Sequence, residues 1–311
     1  MKNPDEKGGR GVRGASRREF LKTAAVGIGA AAGAPGAARA LEFDIEGFLQ
    51  KNFRQLSDAE ILEVIERLSR TYSQQFDKEV TVGAAGPLDG VVYGYGLDIS
   101  RCIGCRRCVY ACVDENNQSR DPQIHWIRVL EFEREAAIRG INLEDGNPYY
   151  DPPMVPTEGK FYLPVSCMHC EDSPCTDVCP TGATWREPDG IVVIDYDWCI
   201  GCRYCMASCP YGARHFNWGE PTLAAEDVNP DMHLLGNRPR RRGVVEKCSF
   251  CIQRVRDGRY PACLEACPVG ARKFGNLLDP DSEIRYLMKV KRTFVLKAEL
   301  ETRPKFFYFY G

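Results

Sequence analysis

Past residue 40 the chain has no apolar run of the roughly 20 residues that a membrane-spanning helix needs. That part is expected to have no transmembrane anchor of its own, and to be soluble or held at a membrane by a partner. An excess of charge of one sign is also missing: 41 Lys+Arg face 43 Asp+Glu, a formal net charge of −2. With 44% hydrophobic residues, that balance argues against a disordered chain and against a nucleic-acid partner. Histidine is scarce, at four residues. Of these, His125, His215 and His233 have no carboxylate or serine at a recognisable spacing. There is no C-x-x-C-H haem-attachment sequence, no glycine-rich nucleotide loop and no nucleophile paired with a base. No catalytic residue is expected.

Cysteine, by contrast, is abundant: sixteen residues in four quartets. The run Cys199-Ile200-Gly201-Cys202-Arg203-Tyr204-Cys205-Met206-Ala207-Ser208-Cys209-Pro210 has the spacing x2, x2, x3 followed by proline. That is the bacterial ferredoxin signature for a 4Fe–4S cluster, in which three cysteines wrap one cluster and the fourth reaches another. Cys102, Cys105, Cys108 and Cys112 repeat the spacing. Cys167, Cys170, Cys175 and Cys179 are spaced x2, x4, x3, and Cys248, Cys251, Cys263 and Cys267 are spaced x2, x11, x3; each of these two quartets is followed by proline. The stretch Asp98-Ile99-Ser100-Arg101-Cys102-Ile103-Gly104-Cys105-Arg106 echoes Asp195-Tyr196-Asp197-Trp198-Cys199-Ile200-Gly201-Cys202-Arg203. Cys-Pro-x-Gly-Ala occurs at Cys179, Cys209 and Cys267. These echoes argue for duplicated two-cluster units, one interrupting the other.

Disulfides would not require the repeated x2-x2-x3-Pro spacing. Zinc takes two C-x2-C knuckles and leaves the third cysteine at x2 without a purpose. With all four quartets complete, four 4Fe–4S clusters are expected, bound by the sixteen cysteines through cluster iron.

The N-terminus reads as an export signal. Ser16-Arg17-Arg18-Glu19-Phe20-Leu21-Lys22 is a twin-arginine pattern, a small-residue stretch follows, and Ala38-Arg39-Ala40 is an A-x-A cleavage site. Residues 1–40 carry eight Lys/Arg and three Asp/Glu, so their removal leaves the chain more acidic. Twin-arginine export carries folded proteins, which suits clusters that must be assembled where thiols stay reduced. The expected location is the periplasm.

Residues 41–95 have no cysteine and read as a helical arm, with a capping box at Ser57-Asp58-Ala59-Glu60, a helix over 58–76 and a shorter one over 45–53. Packing against the cluster domain is favoured for it over docking to a partner. Strands are expected over 124–132, 160–166 and 190–195. The domain reading places an outer two-cluster unit in 96–120 plus 243–275, an insertion in 121–160, an inner unit in 161–215, a second insertion in 216–242 and a C-terminal tail in 276–311. The fold class is α+β: tandem bacterial-ferredoxin-like two-cluster units, one inserted in the other, with loop insertions and the N-terminal arm.

The order of the quartets resembles the four-cluster electron-transfer subunits of the DMSO reductase, polysulfide reductase and tetrathionate reductase type. Gly243-Val244-Val245-Glu246-Lys247-Cys248-Ser249-Phe250-Cys251 and Tyr260-Pro261-Ala262-Cys263-Leu264-Glu265-Ala266-Cys267-Pro268 are similar to that family's last motif. The resemblance spans about residues 96–311; the arm is not a general feature of the family. It implies that cluster 1 takes Cys102, Cys105, Cys108 and Cys267. Cluster 2 then takes Cys112, Cys248, Cys251 and Cys263, cluster 3 takes Cys167, Cys170, Cys175 and Cys209, and cluster 4 takes Cys179, Cys199, Cys202 and Cys205. It further implies a non-catalytic subunit that passes electrons between a polysulfide-reductase-like, quinone-reactive integral membrane subunit and a molybdopterin catalytic subunit or multihaem c-type cytochrome. The alternative is a free periplasmic ferredoxin shuttle.

Several residues near the cysteines have two readings. His169, within Cys167-Met168-His169-Cys170, is expected to be structural or to tune a ligand, since the cysteine count is already complete. Trp198 is expected in the core. Arg101, Arg106, Arg107, Arg203, Arg214, Lys247 and Arg272 are either cluster-facing cations or surface charge. The run Arg238-Pro239-Arg240-Arg241-Arg242 reads as a solvated loop, with an acidic partner or phospholipid as the alternative.

Overall fold

A computed structural model describes residues 56–135 and 141–311. The twin-arginine pattern, the cleavage site and the helix expected over 45–53 lie outside the described residues. The expected helix over 58–76 forms α1 (Asp58–Phe76). It starts where the Ser57 hydroxyl accepts from Glu60 N–H and Glu60 Oε2 accepts from Ser57 N–H at 2.8 Å. Strand β1 (Thr81–Gly83) follows, and Ile65, Leu68, Tyr72 and Phe76 of α1 pack with Val80 and Val82.

The cysteine-bearing part starts with β2 (Tyr93–Asp98), which leads into the first quartet and α2 (Arg107–Glu115). Strand β3 (Arg128–Glu133) pairs antiparallel with β4 (Lys160–Val165). It starts later than expected because Trp126 N–H is used by Gln118 Oε1 at 3.1 Å instead of by a ladder. Then come α3 (Pro174–Asp177), the hairpin of β5 (Thr184–Arg186) and β6 (Val192–Ile194), and α4 (Tyr204–Ala207). Next are β7 (His215–Phe216), β8 (Asp231–His233) and β9 (Val245–Glu246), where β9 pairs with β7 and β8 runs parallel to β1. The chain closes through α5 (Ile252–Val255), α6 (Ala262–Glu265), β10 (Arg272–Asn276), α7 (Glu283–Val290), β11 (Thr293–Phe294) and β12 (Phe306–Phe309).

Four of these strands form one sheet in the order β10-β2-β12-β11. Its register brings the strand before Cys102 against the strand after Cys267, with Leu97 opposite Arg272. In β2 the residues alternate. Tyr93, Tyr95 and Leu97 join the core, while Gly94 and Gly96 leave room on the other face. A Cβ on Gly94 would lie 2.6 Å from Leu277, and one on Gly96 would lie 2.9 Å from Ile284 of α7.

Three expectations need correction. Residues 276–311 are not a peripheral tail: β12 lies between β2 and β11, Phe306 stacks on Tyr95 at 4.8 Å, and Tyr308 O–H donates to Pro164 O at 2.9 Å. The aromatic run had no visible partner in the sequence because its partner, β2, lies some two hundred residues earlier. In the described part of the arm, α1 and β1 pack on the 216–242 segment through Val228 and Met232, and β2 begins within the arm's expected range. The Arg238–Arg242 run is not a solvated loop throughout. Arg238 pairs with Asp197 at 2.9 Å, and Arg240 meets Glu246 at 2.9 Å with both side chains almost fully buried. Asp197 from a distant segment and Glu246 from the adjoining strand neutralise these two arginines, a pairing that burial demands.

His233 is 3% exposed, and burial pushes it down to about 4. An unfolded histidine takes its proton near pH 6.5, so between about 6.5 and 4 the unfolded chain binds more protons and stability falls as the pH falls. That loss should amount to about 2 kcal/mol between pH 7 and pH 5. His233→Asn should lose less stability than the native chain over that interval, measured by denaturant midpoints at the two values.

Candidate functional site

The two x2-x2 wraps owe their shape to backbone that turns left-handed twice. Gly104 (φ +73°) is followed by Arg106 (φ +55°), and Gly201 (φ +74°) is followed by Arg203 (φ +66°). The loop then runs into α2 or α4, so the third cysteine, Cys108 or Cys205, sits in the first turn of a helix. The neighbouring chain comes very close to each glycine. A Cβ on Gly104 would lie 2.4 Å from the Tyr162 ring, and one on Gly201 would lie 2.2 Å from Gly243 O. Left-handed turns of this kind aim successive N–H groups at one concavity and favour an anionic occupant.

All sixteen thiols are free of disulfides. Cys102, Cys105, Cys108 and Cys267 line one cavity with Ile103 and Gly104. Cys179, Cys199, Cys202 and Cys205 line another with Ile200 and Gly201, and Cys209 is not on that wall. Cys112 lies in the electrostatic field of Cys251, Cys248 and Cys263. Asn116 Nδ2 spans that group, 3.6 Å from Cys112 Sγ and 3.5 Å from Cys251 Sγ. Cys170 lies in the field of Cys167, Cys175 and Cys209. Each gathering thus takes three cysteines from one quartet and one from another. Among the described residues no group of three or more His, Cys, Asp or Glu is placed to hold a single metal ion.

Burial pushes the free thiol of Cys102 up to about 11, and those of Cys170 and Cys248 up to about 12. Cys112 and Cys251 are raised well beyond the ordinary thiol range for the same reason. Protein surroundings alone therefore do not hold these sulfurs as thiolates; coordinated iron would, because a metal-bound thiol is deprotonated outright. Donors already face the sulfurs. Arg272 Nη2 donates to Cys108 Sγ at 3.2 Å, Arg214 Nη2 to Cys175 Sγ at 3.0 Å and Gln118 Nε2 to Cys112 Sγ at 3.1 Å. The N–H groups of Ala271, Val245 and Phe250 approach Cys267, Cys199 and Cys248 at 3.3, 3.5 and 3.5 Å. Arg214 is 4% exposed, yet its Nε and Nη1 have no hydrogen-bond partner in the chain. A buried guanidinium with spare donors beside raised thiols fits an anionic thiolate-bound cluster.

The cations near the cysteines divide into two groups. Arg214, Lys247 and Arg272 are buried among the thiols. Arg106 lies over the Tyr150 ring at 4.0 Å and Arg203 over Trp218 at 4.6 Å, while Arg101 and Arg107 are exposed. His169 is fully buried as a structural residue. Its Nδ1 accepts Val192 N–H at 3.0 Å, and its ring stacks on Phe250 at 3.6 Å. His125, His215 and His233 form no shared site with it. Trp198 is 39% exposed and not in the core, because the loop that carries Cys199 runs at the surface; Ile200 beside it is half exposed and covers the cavity wall.

Sequence spacing missed Tyr95, Asn116, Gln118, Tyr211 and Thr302. Tyr95 O–H lies 3.2 Å from Cys263 Sγ, and the Thr302 hydroxyl, 2.7 Å from Tyr211 O–H, faces Cys170 and favours its thiolate. One signal was available for two of them: Asn116-Asn117-Gln118 is a polar run immediately after a cysteine-bearing helix, and all three are buried.

A family profile described as a 4Fe–4S dicluster domain matches residues 159–240 and 235–277, and a second profile of the same description matches 101–183. A Halobacterium salinarum protein bearing the name of a dimethyl sulfoxide reductase iron–sulfur subunit is 45% identical over 70% of this chain and 79% of its own. The Hdr-like menaquinol oxidoreductase iron–sulfur subunit 1 of Archaeoglobus fulgidus is 37% identical over 70% and 82%. A selenate reductase subunit of Mesobacillus selenatarsenatis is 33% identical over 97% and 99%.

Gly201→Ala should lower both the iron content and the midpoint of thermal bleaching, because a residue with a side chain at positive φ costs about 1–2 kcal/mol and the clash is with backbone. Gly182→Ala is the control. Its φ is +62° but nothing lies within 4 Å of the added Cβ, so it should show the backbone cost alone and keep its iron.

Proposed function

The chain belongs to the 4Fe–4S ferredoxin-type iron–sulfur subunits of the DMSO, selenate and arsenate reductase type, and from that premise we propose that it carries four clusters in one row across a periplasm-facing respiratory complex. Membership makes it an electron-transfer subunit of a reductase complex and not the catalytic one. It holds 4Fe–4S clusters. A bound cluster supplies a one-electron redox centre whose potential follows burial and hydrogen bonding to its sulfurs.

The ligand sets proposed are Cys102, Cys105, Cys108 and Cys267 (set 1); Cys112, Cys248, Cys251 and Cys263 (set 2); Cys167, Cys170, Cys175 and Cys209 (set 3); and Cys179, Cys199, Cys202 and Cys205 (set 4). The observation that carries this reading is the make-up of the two cavities: each has three cysteines of one quartet and a fourth, Cys267 or Cys179, from another. The pairing of β2 with β10 across the inner quartets supports the nested arrangement of two-cluster units. The protein's own residues fix the thiols on rigid loops, keep water from the sulfurs and aim N–H donors at them.

The electrons run between a polysulfide-reductase-like, quinone-reactive membrane subunit and a molybdopterin catalytic subunit or multihaem c-type cytochrome. Relatives named as menaquinol oxidoreductase and menaquinone reductase subunits support the quinone-linked part. Among the described residues no helix is long and apolar enough to cross a membrane, in keeping with attachment through a partner. The twin-arginine pattern supports the periplasmic side.

Anaerobically purified protein should hold iron for four clusters, counted by metal analysis and low-temperature EPR; substantially less iron sinks the proposal. Cys170→Ser and Cys209→Ser should disturb one and the same EPR component, and Cys179→Ser and Cys205→Ser a different one. If Cys209→Ser instead disturbs the component that Cys205→Ser does, the crossing is wrong. Replacing Arg17 and Arg18 together by Lys should stop export, seen as unprocessed chain of full mass retained inside the cell.

A further inference from the structure

Arg214, Lys247 and Arg272 are 4%, 1% and 4% exposed, and among the described residues none of them meets a carboxylate. Other buried arginines do: Arg240 has Glu246, and Arg256 has Glu187 and Asp189. A buried cation without a counter-charge is costly, so these three draw their compensation from another source.

Each of the three lies where two of the proposed ligand sets meet. Arg272 Nη2 donates to Cys108 of set 1 at 3.2 Å. Its Nη1 lies 3.4 Å from the Tyr95 hydroxyl, which is itself 3.2 Å from Cys263 of set 2. Arg214 Nη2 donates to Cys175 of set 3 at 3.0 Å and to Thr184 Oγ1, which lies on the wall of the set 4 cavity, and the guanidinium is in the field of Cys205 of set 4. The two arginines are sequence equivalents, each following Cys-Pro-x-Gly-Ala. At the third occurrence the residue is Thr184, and its hydroxyl accepts from Arg214 at 2.9 Å.

Lys247 lies at the remaining meeting point. It precedes Cys248 of set 2, and its Nζ donates to Cys248 O at 2.7 Å and to Val192 O. The N–H of that same Val192 donates to His169 Nδ1 at 3.0 Å, and His169 stands between Cys167 and Cys170 of set 3. The His169 ring, 3.6 Å from that of Phe250, presses the loop of set 3 against the loop of set 2. Lys247 lies in the field of both Cys167 and Cys248.

We propose that Arg272, Lys247 and Arg214 are positioning cations shared respectively by sets 1 and 2, sets 2 and 3, and sets 3 and 4, each raising the reduction potentials of the two clusters those sets would hold. This rests on the four-cluster reading above. A positive charge favours the more negative, reduced state of a nearby cluster, and low dielectric strengthens the effect. Because each cation is shared by two sets, an electron passing between them stays near the same positive charge.

The test is a redox titration followed by low-temperature EPR on the full chain with its partner subunits, for Arg272→Met, Lys247→Met and Arg214→Met. Each variant should lower two of the four midpoint potentials. Arg272→Met and Lys247→Met should have one shifted centre in common, Lys247→Met and Arg214→Met another, and Arg272→Met and Arg214→Met none. Arg272→Lys and Arg214→Lys should restore most of the shift. Where a methionine variant loses iron, the Gln replacement should give the same pairwise pattern. Shifts confined to one centre, spread over all four, or overlapping differently in iron-replete variants overturn the inference. Fewer than four clusters in the native protein overturns the underlying reading instead.

Discussion

Burial of thiol sulfur is the constraint on which the rest of the structure depends. Ten of the sixteen cysteines are buried outright and the other six are partly buried. An apolar interior raises a free thiol and penalises a thiolate, so a thiolate in the core needs iron and cations near it. The fold supplies the second requirement locally. Arg214, Lys247 and Arg272 take positions among the sulfurs, whereas Arg238, Arg240 and Arg256 are neutralised by carboxylates elsewhere. The chain therefore keeps two separate classes of buried cation, one paired within the protein and one left for the sulfurs.

The same requirement explains why the chain closes on itself over such long distances. Cys102 and Cys267 share a cavity, and the strands that flank them pair residue by residue from Tyr93–Asn276 to Leu97–Arg272. Strand β12 then covers the other edge of β2, with Phe306 against Tyr95, the same tyrosine whose hydroxyl reaches Cys263. Thr302, just before β12, reaches Cys170. Contacts to sulfurs of both proposed two-cluster units thus depend on the last residues of the chain.

The cysteine spacing was legible because it is local: a loop that wraps a cluster needs a fixed number of residues between ligands. The capping box at Ser57 and the strands around Tyr162 and Val193 were legible for the same reason. What could not be read were contacts whose two halves lie far apart. Arg240 looked like a surface charge because Trp126, over whose ring it lies, is more than a hundred residues earlier. The aromatic run ending at Phe309 looked like a tail because its partner strand begins at Tyr93. Gln118 carried no motif, since a side-chain amide reaching a sulfur needs only proximity and no fixed spacing. Conversely, Trp198 was expected in the core from its residue type, but it stands on a loop near the surface.

That exception has a physical meaning along the proposed row. In set 2 all four cysteines are buried, and in set 3 only Cys209 is not. In set 1 Cys102, Cys105 and Cys267 are partly exposed, and in set 4 Cys179 and Cys202 are. Set 2 also has the densest side-chain donors, from Gln118, Asn116 and Tyr95. An inner site must hold its potential against water and needs dense hydrogen bonding to do so. An outer site must let a partner come close, and at the wall of the set 4 cavity Ile200 is half exposed. Burial thus falls from the middle of the row toward both ends, the profile expected of a conductor that exchanges electrons only at its ends.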